Sequence, residues 1–200
     1  ENADEAFIAS FEVCNPAVFG HTLGELSGMN EQSFVVSRLW RNGKVMLPNS
    51  QTVLENGDRI LVITQEKQLQ QLTLYFGRRD NKNWNRKDVD WNSLDAKLIS
   101  QRILITRPEI NGKKLGSLQL RARYGVNVSR VQRSGIQLVA TPGLLLRMGD
   151  RVTVVGEAQS LKSVAEKLGN VVKRLEEPNM VTIFIGSVLG LLRGSIPLFV

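Results

Sequence analysis

Phe34-Val35-Val36-Ser37-Arg38-Leu39-Trp40-Arg41-Asn42-Gly43 is an apolar run that ends in Asn-Gly, and Val126 to Val131 followed by Gln132-Arg133-Ser134-Gly135 repeats it 92 positions later. Asn-Gly between apolar runs marks a tight β-hairpin, because both turn positions need positive φ. The offset holds without a gap. Pro16/Pro108, Gly20/Gly112, Leu23/Leu115, Gly24/Gly116, Gly57/Gly149, Asp58/Asp150 and Gly77/Gly169 all obey it, as do Ser37/Ser129, Arg38/Arg130 and Arg41/Arg133. Matched glycines and prolines report backbone geometry, so the chain is one small domain duplicated.

The element order follows from period and punctuation. Phe11 to Cys14 and Ile103 to Ile105 read as first strands, each closed by a residue and proline. Thr22-Leu23-Gly24-Glu25 is a capping box that starts a helix, whereas Lys114 and Ser117 lose the box and predict a weaker start. After the hairpin, Arg59 to Ile63 and Arg151 to Val155 are launched by Gly-Asp and are apolar enough to need cover on both faces. Leu69, Leu72, Thr73 and Phe76 match Leu161, Val164, Ala165 and Leu168 as a helical stripe, with Gly77 and Gly169 at the C-cap. Each unit is therefore α+β, ordered β-α-β-β-β-α. The expected boundaries are residues 1–77, a polar linker 78–97 pinned to a domain surface by Trp84 and Trp91, and residues 98–177. Pro48 faces Ala140 at the fixed offset, which predicts that the loop before the third strand differs between units.

Met180 to Val200 holds one charge, Arg193, and places Gly186, Gly190 and Gly194 at every fourth position. About 20 helical residues span a bilayer core, and stacked small residues permit close helix contact, so residues 178–200 read as the start of a transmembrane segment. A buried C-terminal helix of a soluble protein is the alternative, with Arg193 and Pro197 in its favour. Lys173 and Arg174 upstream put the domains on the cytosolic face.

Charge and composition exclude more than they select. The net charge of +7 is divided into 5 basic and 9 acidic residues over 1–77, against 14 and 6 over 98–177. Dispersed cations and 6% aromatics argue against nucleic acid. One cysteine, Cys14, and one histidine, His21, leave no disulfide framework, metal cluster or nucleophile–base pair; Cys14 reads as a buried strand residue and His21 as solvent-facing. No catalytic constellation and no phosphate-cradling loop is visible, so no enzyme activity and no cofactor are expected. Asp58 and Asp150 read as turn residues. The duplicated Ser-Arg-x-x-Arg-x-Gly is the functional candidate: Arg38 and Arg130 within strands, Arg41 and Arg133 at their ends, suited to an anionic effector. Solvated or salt-bridged hairpin arginines are the plainer reading of the same residues.

The pattern of residues 111–116 (Asn-Gly-Lys-Lys-Leu-Gly), Arg123-Tyr124-Gly125-Val126, Ser129-Arg130-Val131 and Gly149 to Gly156 resembles the TrkA-C domain, the C-terminal domain of regulators of potassium conductance. Thr22 to Leu26 and Asn56 to Arg59 carry the same resemblance in the first unit. Two such domains followed by Leu168-Gly169-Asn170, Phe184-Ile185-Gly186 and Gly194-Ser195-Ile196-Pro197 are similar to the YidE/YbjL group of transporters in the aspartate:alanine exchanger family. Arg193 departs from that group's pattern, which favours an aliphatic residue there. The resemblance implies paired cytosolic domains between two membrane halves, with this chain a fragment. It implies a regulatory, ligand- or ion-sensing segment of a secondary transporter for cations or amino acids, working as a homodimer, without NAD or ATP, and with an anionic effector at a dimer cleft conceivable. A gating module of a potassium uptake system or channel and a soluble dimerising scaffold are the alternatives.

Overall fold

The structure, a computed structural model, describes residues 5–29, 33–86, 88–94 and 97–172. The expected transmembrane start at 178–200 lies outside the described residues, and among the described residues no helix is long and apolar enough to cross a membrane.

The first unit runs β1 (Ala6–Val13), α1 (Leu23–Met29), β2 (Val35–Arg41), β3 (Lys44–Met46), β4 (Arg59–Gln65), α2 (Leu69–Phe76) and β5 (Gly77–Arg79). The second repeats the order with β6 (Ile99–Ile105), α3 (Leu120–Tyr124), β7 (Asn127–Arg133), β8 (Ile136–Val139), β9 (Arg151–Gly156), α4 (Ala158–Leu168) and β10 (Gly169–Val171). Both sheets are antiparallel and share one strand order, β3-β2-β4-β1-β5 and β8-β7-β9-β6-β10. Helices cover one face of each sheet. Phe11, Leu39, Ile60, Val62, Leu72 and Phe76 fill the first core, and Ile103, Val131, Val152, Val154, Val164 and Leu168 fill the second.

The predicted signals act as their chemistry requires. Asn42 and Gly43 take φ of 51° and 73°, and Ser134 and Gly135 take 50° and 83°, so the second hairpin keeps the turn without asparagine. The capping box forms: Glu25 N–H donates to Thr22 Oγ1 at 3.2 Å, and Thr22 N–H donates to Glu25 Oε2 at 2.8 Å. Those bonds hold the Glu25 carboxyl below the usual carboxylate range. Where the box is lost, the second unit makes a 3₁₀ turn, Leu115–Leu118, before α3.

One expectation needs correction and two hold. The loop before the third strand differs between the units, as Pro48 predicts: β8 runs one position further than β3, and Thr141 N–H donates to Val139 O where Asn49 N–H donates to Thr52 Oγ1. One bond is shared at the same offset, Gly24 N–H to Ser50 O at 2.7 Å and Gly116 N–H to Pro142 O at 2.8 Å. The bonded group is a carbonyl, which proline supplies as well as any residue. Cys14 stands just past β1 and is half-buried, its Sγ donating to Glu12 O. Gly77 and Gly169 cap α2 and α4 as expected, their N–H groups donating to Thr73 O and Ala165 O. With φ of 130° and 152° they turn the chain straight into a fifth strand that pairs with the first strand of each unit.

That turn brings backbones into contact. A Cβ on Gly77 would meet Cys14 N at 2.8 Å and Glu12 O at 2.9 Å, whereas one on Gly20, at φ 75°, would meet nothing. Gly20→Ala is expected to cost about 1–2 kcal/mol of backbone strain. Gly77→Ala adds a backbone clash and is expected to cost clearly more, which urea denaturation midpoints of the two variants will compare.

Candidate functional site

The second face of each sheet meets the other unit. Ile8, Leu61, Ile63 and Val139 form a third apolar cluster there, closed by Trp84, Trp91, Val89 and Leu94 from the connecting segment. That segment is stapled to the strands it joins. Asp80 N–H donates to Ser10 O, Ile8 N–H donates to Asn85 Oδ1 at 2.8 Å, and Asn85 Nδ2 donates back to Ile8 O at 2.9 Å. An amide side chain thus continues the strand edge that β5 leaves unpaired. Trp84 is 5% exposed, donates Nε1 to Ser10 Oγ, and stacks on Trp91 at 5.9 Å. The tryptophans pin the segment in the seam between the units, not on an outer surface.

Arg38 and Arg130 reach this seam because of a bulge. Val36 and Leu39 both point into the first core, as Val128 and Val131 do into the second, although residues three apart on a regular strand face opposite ways. One extra residue makes up the parity: the register shifts between Val36 and Arg38 and again between Val128 and Arg130. Ser37 and Ser129 are buried there, their hydroxyls donating to Leu61 O and Thr153 O. Both arginines then lie against one indole. The Arg38 and Arg130 guanidinium carbons stand 5.7 and 5.3 Å from the Trp91 ring, and Arg38 Nη2 donates to Trp91 O.

The seam is tight. The cavity between Arg38, Arg130, Ser37, Ser129 and Trp91 has about 10 Å³, room for one water at most. Asn127 Nδ2 donates across it to Val36 O at 3.0 Å, and Arg121 donates to Leu47 O. Arg38 is 1% exposed. Burial, with Arg102 nearby as a second cation, pushes Arg130 down to about 10. A cation over an indole gains about 0.5–2 kcal/mol, while desolvating a charge costs several, so stacking alone does not offset the burial of Arg130. At neutral pH Arg130 is charged and carries that cost; it falls as pH rises from 10 toward the ordinary arginine value.

Arg41 and Arg133 are placed elsewhere. Each forks onto the buried aspartate of its own unit: Arg41 Nε and Nη2 donate to Asp58 at 2.8 and 2.6 Å, and Arg133 Nε and Nη2 donate to Asp150 at 2.8 and 2.7 Å. These bonds raise both guanidinium pKa values. Asp58 and Asp150 are 1% exposed and also accept Glu55 N–H and Arg147 N–H, so they are the expected turn residues and buried ion-pair partners as well. The sequence carried the signal, since both arginine and aspartate obey the 92-residue offset. His21 is half exposed, its Nδ1 3.6 Å from Glu25. Among the described residues no three His, Cys, Asp or Glu side chains are grouped to hold a metal ion.

The TrkA-C domain description matches residues 8–77 and again 102–169. The chain belongs to the TrkA-C domain family. Its two TrkA-C units lie in a sequence 57% identical over 198 residues to an uncharacterized transporter of Bacteroides thetaiotaomicron, covering 98% of this chain and 36% of that protein. Uncharacterized transporters of Bacteroides fragilis and Porphyromonas gingivalis are 52% and 47% identical over 197 residues, again 98% of this chain and 36% and 35% of theirs. The chain thus spans about a third of the length of these relatives, whose names agree with the transporter group that the sequence resembles. Among solved structures, the RCK domain of GsuK aligns over 81% of this chain and 63% of its own at TM-score 0.37 and 12% identity. The RCK C domain of the potassium transport protein KtrA, in complex with cyclic diadenosine monophosphate, aligns over 40% and 93% at TM-score 0.36 and 21% identity.

Two stability outcomes follow from the TrkA-C geometry. Asp150→Asn leaves Arg133 half-buried without its carboxylate and is expected to cost about 3 kcal/mol, read from chemical denaturation. Trp91→Ala removes the shared ring from the seam but touches neither helix-covered core. Its expected signature is a lower first transition, with α-helical circular dichroism kept until a second.

Proposed function

We propose that the chain is the cytosolic regulatory segment of a membrane secondary transporter for cations or amino acids, a non-catalytic, homodimeric module whose seam answers to a small anionic effector. The observation that carries this reading is Arg130: a buried cation beside Arg38, Trp91 and Arg102, with no described carboxylate in ion-pair distance. An anion there would restore the charge balance that stacking leaves incomplete. Because the cavity is small, binding would require Trp91 and its segment to give way, coupling ligand to the relative position of the two units. A ligand shifts such an equilibrium only by its difference in affinity for the two arrangements, and a buried arginine released to an anion supplies that difference. The homology to transporters over nearly the whole chain supports the setting, as do Lys173 and Arg174 before the apolar tail.

Calorimetric titration of this chain with nucleotides, cyclic dinucleotides, amino acids and monovalent cations is the test. One anionic ligand is expected to bind, to lose at least about tenfold in affinity on Arg130→Ala, and to change transport by the full-length protein. If none binds and Arg130→Ala leaves transport unchanged, the effector reading fails.

A further inference from the structure

The duplication provides an internal comparison at the hairpin tips, away from the seam. In the first unit the third corner of the Arg41 guanidinium is closed: Nη1 donates to Glu55 Oε1 at 2.6 Å, while Nε and Nη2 hold Asp58 and Nη2 also donates to Val53 O. The second unit reproduces every other bond, with Arg133 Nη2 donating to Leu145 O at 2.7 Å and Arg147 N–H to Asp150 Oδ2 at 2.9 Å. At the position of Glu55 it has Arg147. Arg133 Nη1 therefore has no carboxylate among the described residues, and a second guanidinium takes its place.

This exchange changes the charge of a built cluster. Arg41, Glu55, Asp58 and Arg59 are neutral together; Arg133, Arg147, Asp150 and Arg151 carry +2. Those cations line an open groove of about 480 Å³ with Gln132, Ser134 and Met148, within the range that holds small molecules. Arg133 is fixed by its fork onto Asp150, so its remaining donors are already oriented. Arg147 and Arg151 are exposed and free to close on a ligand. A single carboxylate, which suffices beside Arg41, would leave the second cluster cationic. A phosphomonoester carries about −1.5 to −2 at neutral pH and has three acceptor oxygens, so it matches both the charge and the donors.

We propose that this groove in the second unit is a seat for a phosphomonoester dianion, bound by Arg133 Nη1 together with Arg147 and Arg151. The seat is independent of the seam: the same chemistry arrives on a soluble phosphate compound or on an anionic lipid headgroup, and the first unit, closed by Glu55, does not share it.

The test exchanges the two units. Calorimetry of this chain with inorganic phosphate at low ionic strength is expected to give one site. Arg147→Glu rebuilds the Glu55–Arg41 pair and is expected to weaken binding about tenfold or more, while Glu55→Arg opens the first unit and raises the stoichiometry from one to two. A second arm sediments the chain with phosphatidylcholine vesicles with and without phosphatidic acid. Pelleting that needs phosphatidic acid and is lost in Arg147→Glu identifies a headgroup, and phosphate heat without it identifies a soluble ligand. Neither heat nor pelleting, an Arg147→Glu variant that binds as the parent does, or a stoichiometry that stays at one in Glu55→Arg overturns the assignment. Arg130→Ala is expected to leave phosphate binding intact; loss there would move the anion to the seam and overturn the groove, whereas phosphate binding in a chain that holds no ligand through Arg130, with transport unchanged in Arg130→Ala, would sink the effector reading and leave the groove standing.

Discussion

A carboxylate buried to 1% exposure must be bonded on both oxygens, and Asp58 and Asp150 meet that demand in one way. Each takes two guanidinium bonds from the end of the hairpin strand and a backbone N–H from its own turn, and the main-chain carbonyl of each accepts from the end of the first strand, at Val13 and Ile105. One aspartate thus ties together the tip of the hairpin, the turn before the next strand and the end of the first strand. Removing either partner leaves a charge with nowhere to go, which is the costly case for a buried pair. The pair accounts for the constancy of the 92-residue offset across this stretch: an insertion between Arg41 and Asp58, or between Arg133 and Asp150, would break the fork.

With the hairpin tip fixed, the bulge at Ser37 and Ser129 determines what each sheet shows its neighbour. Regular alternation would have sent Arg38 and Arg130 into the helix-covered cores, where a guanidinium has no compensation. The extra residue sends them to the opposite face while Leu39 and Val131 return to the core. The seam is thus a product of two local irregularities, repeated, and its polar content is not an accident of packing. Ser37 and Ser129 satisfy their hydroxyls within their own sheets and leave the arginines to Trp91.

Much of this was legible in the residues. The Asn-Gly turn, the capping box and its loss, the apolar central strands and the helical stripes are local signals, and local signals survive in a sequence read without its fold. The fifth strands escaped because Gly77-Arg78-Arg79 and Gly169-Asn170-Val171 are too short and polar to show a period; their trace was the glycine, which caps the helix and also permits the close backbone approach of the strand that follows. The bulge escaped because parity can be judged only once two cores are known. The candidate arginines were legible as a set, but their division was not: whether a guanidinium finds Asp58 or the face of Trp91 is decided by long-range pairing. Linker tryptophans announced a docking contact, and only the facing sheets show that the contact is the seam itself.

Why a duplication and not a symmetric pair of separate chains follows from the seam's centre. A two-fold axis between identical subunits would present every residue twice, and a single indole shared by two equivalent arginines cannot be made that way. Covalent linkage removes the constraint, because the segment joining the units occurs once and can place one Trp91 against both Arg38 and Arg130. The same freedom let the units drift apart in charge, to an acidic first and a basic second, while the glycines, prolines and buried ion pairs held their spacing. Geometry is shared by both copies and therefore tightly restrained. Charge at the rim is not, and Glu55 against Arg147 is the point at which two nearly superposable frames offer solvent opposite chemistry.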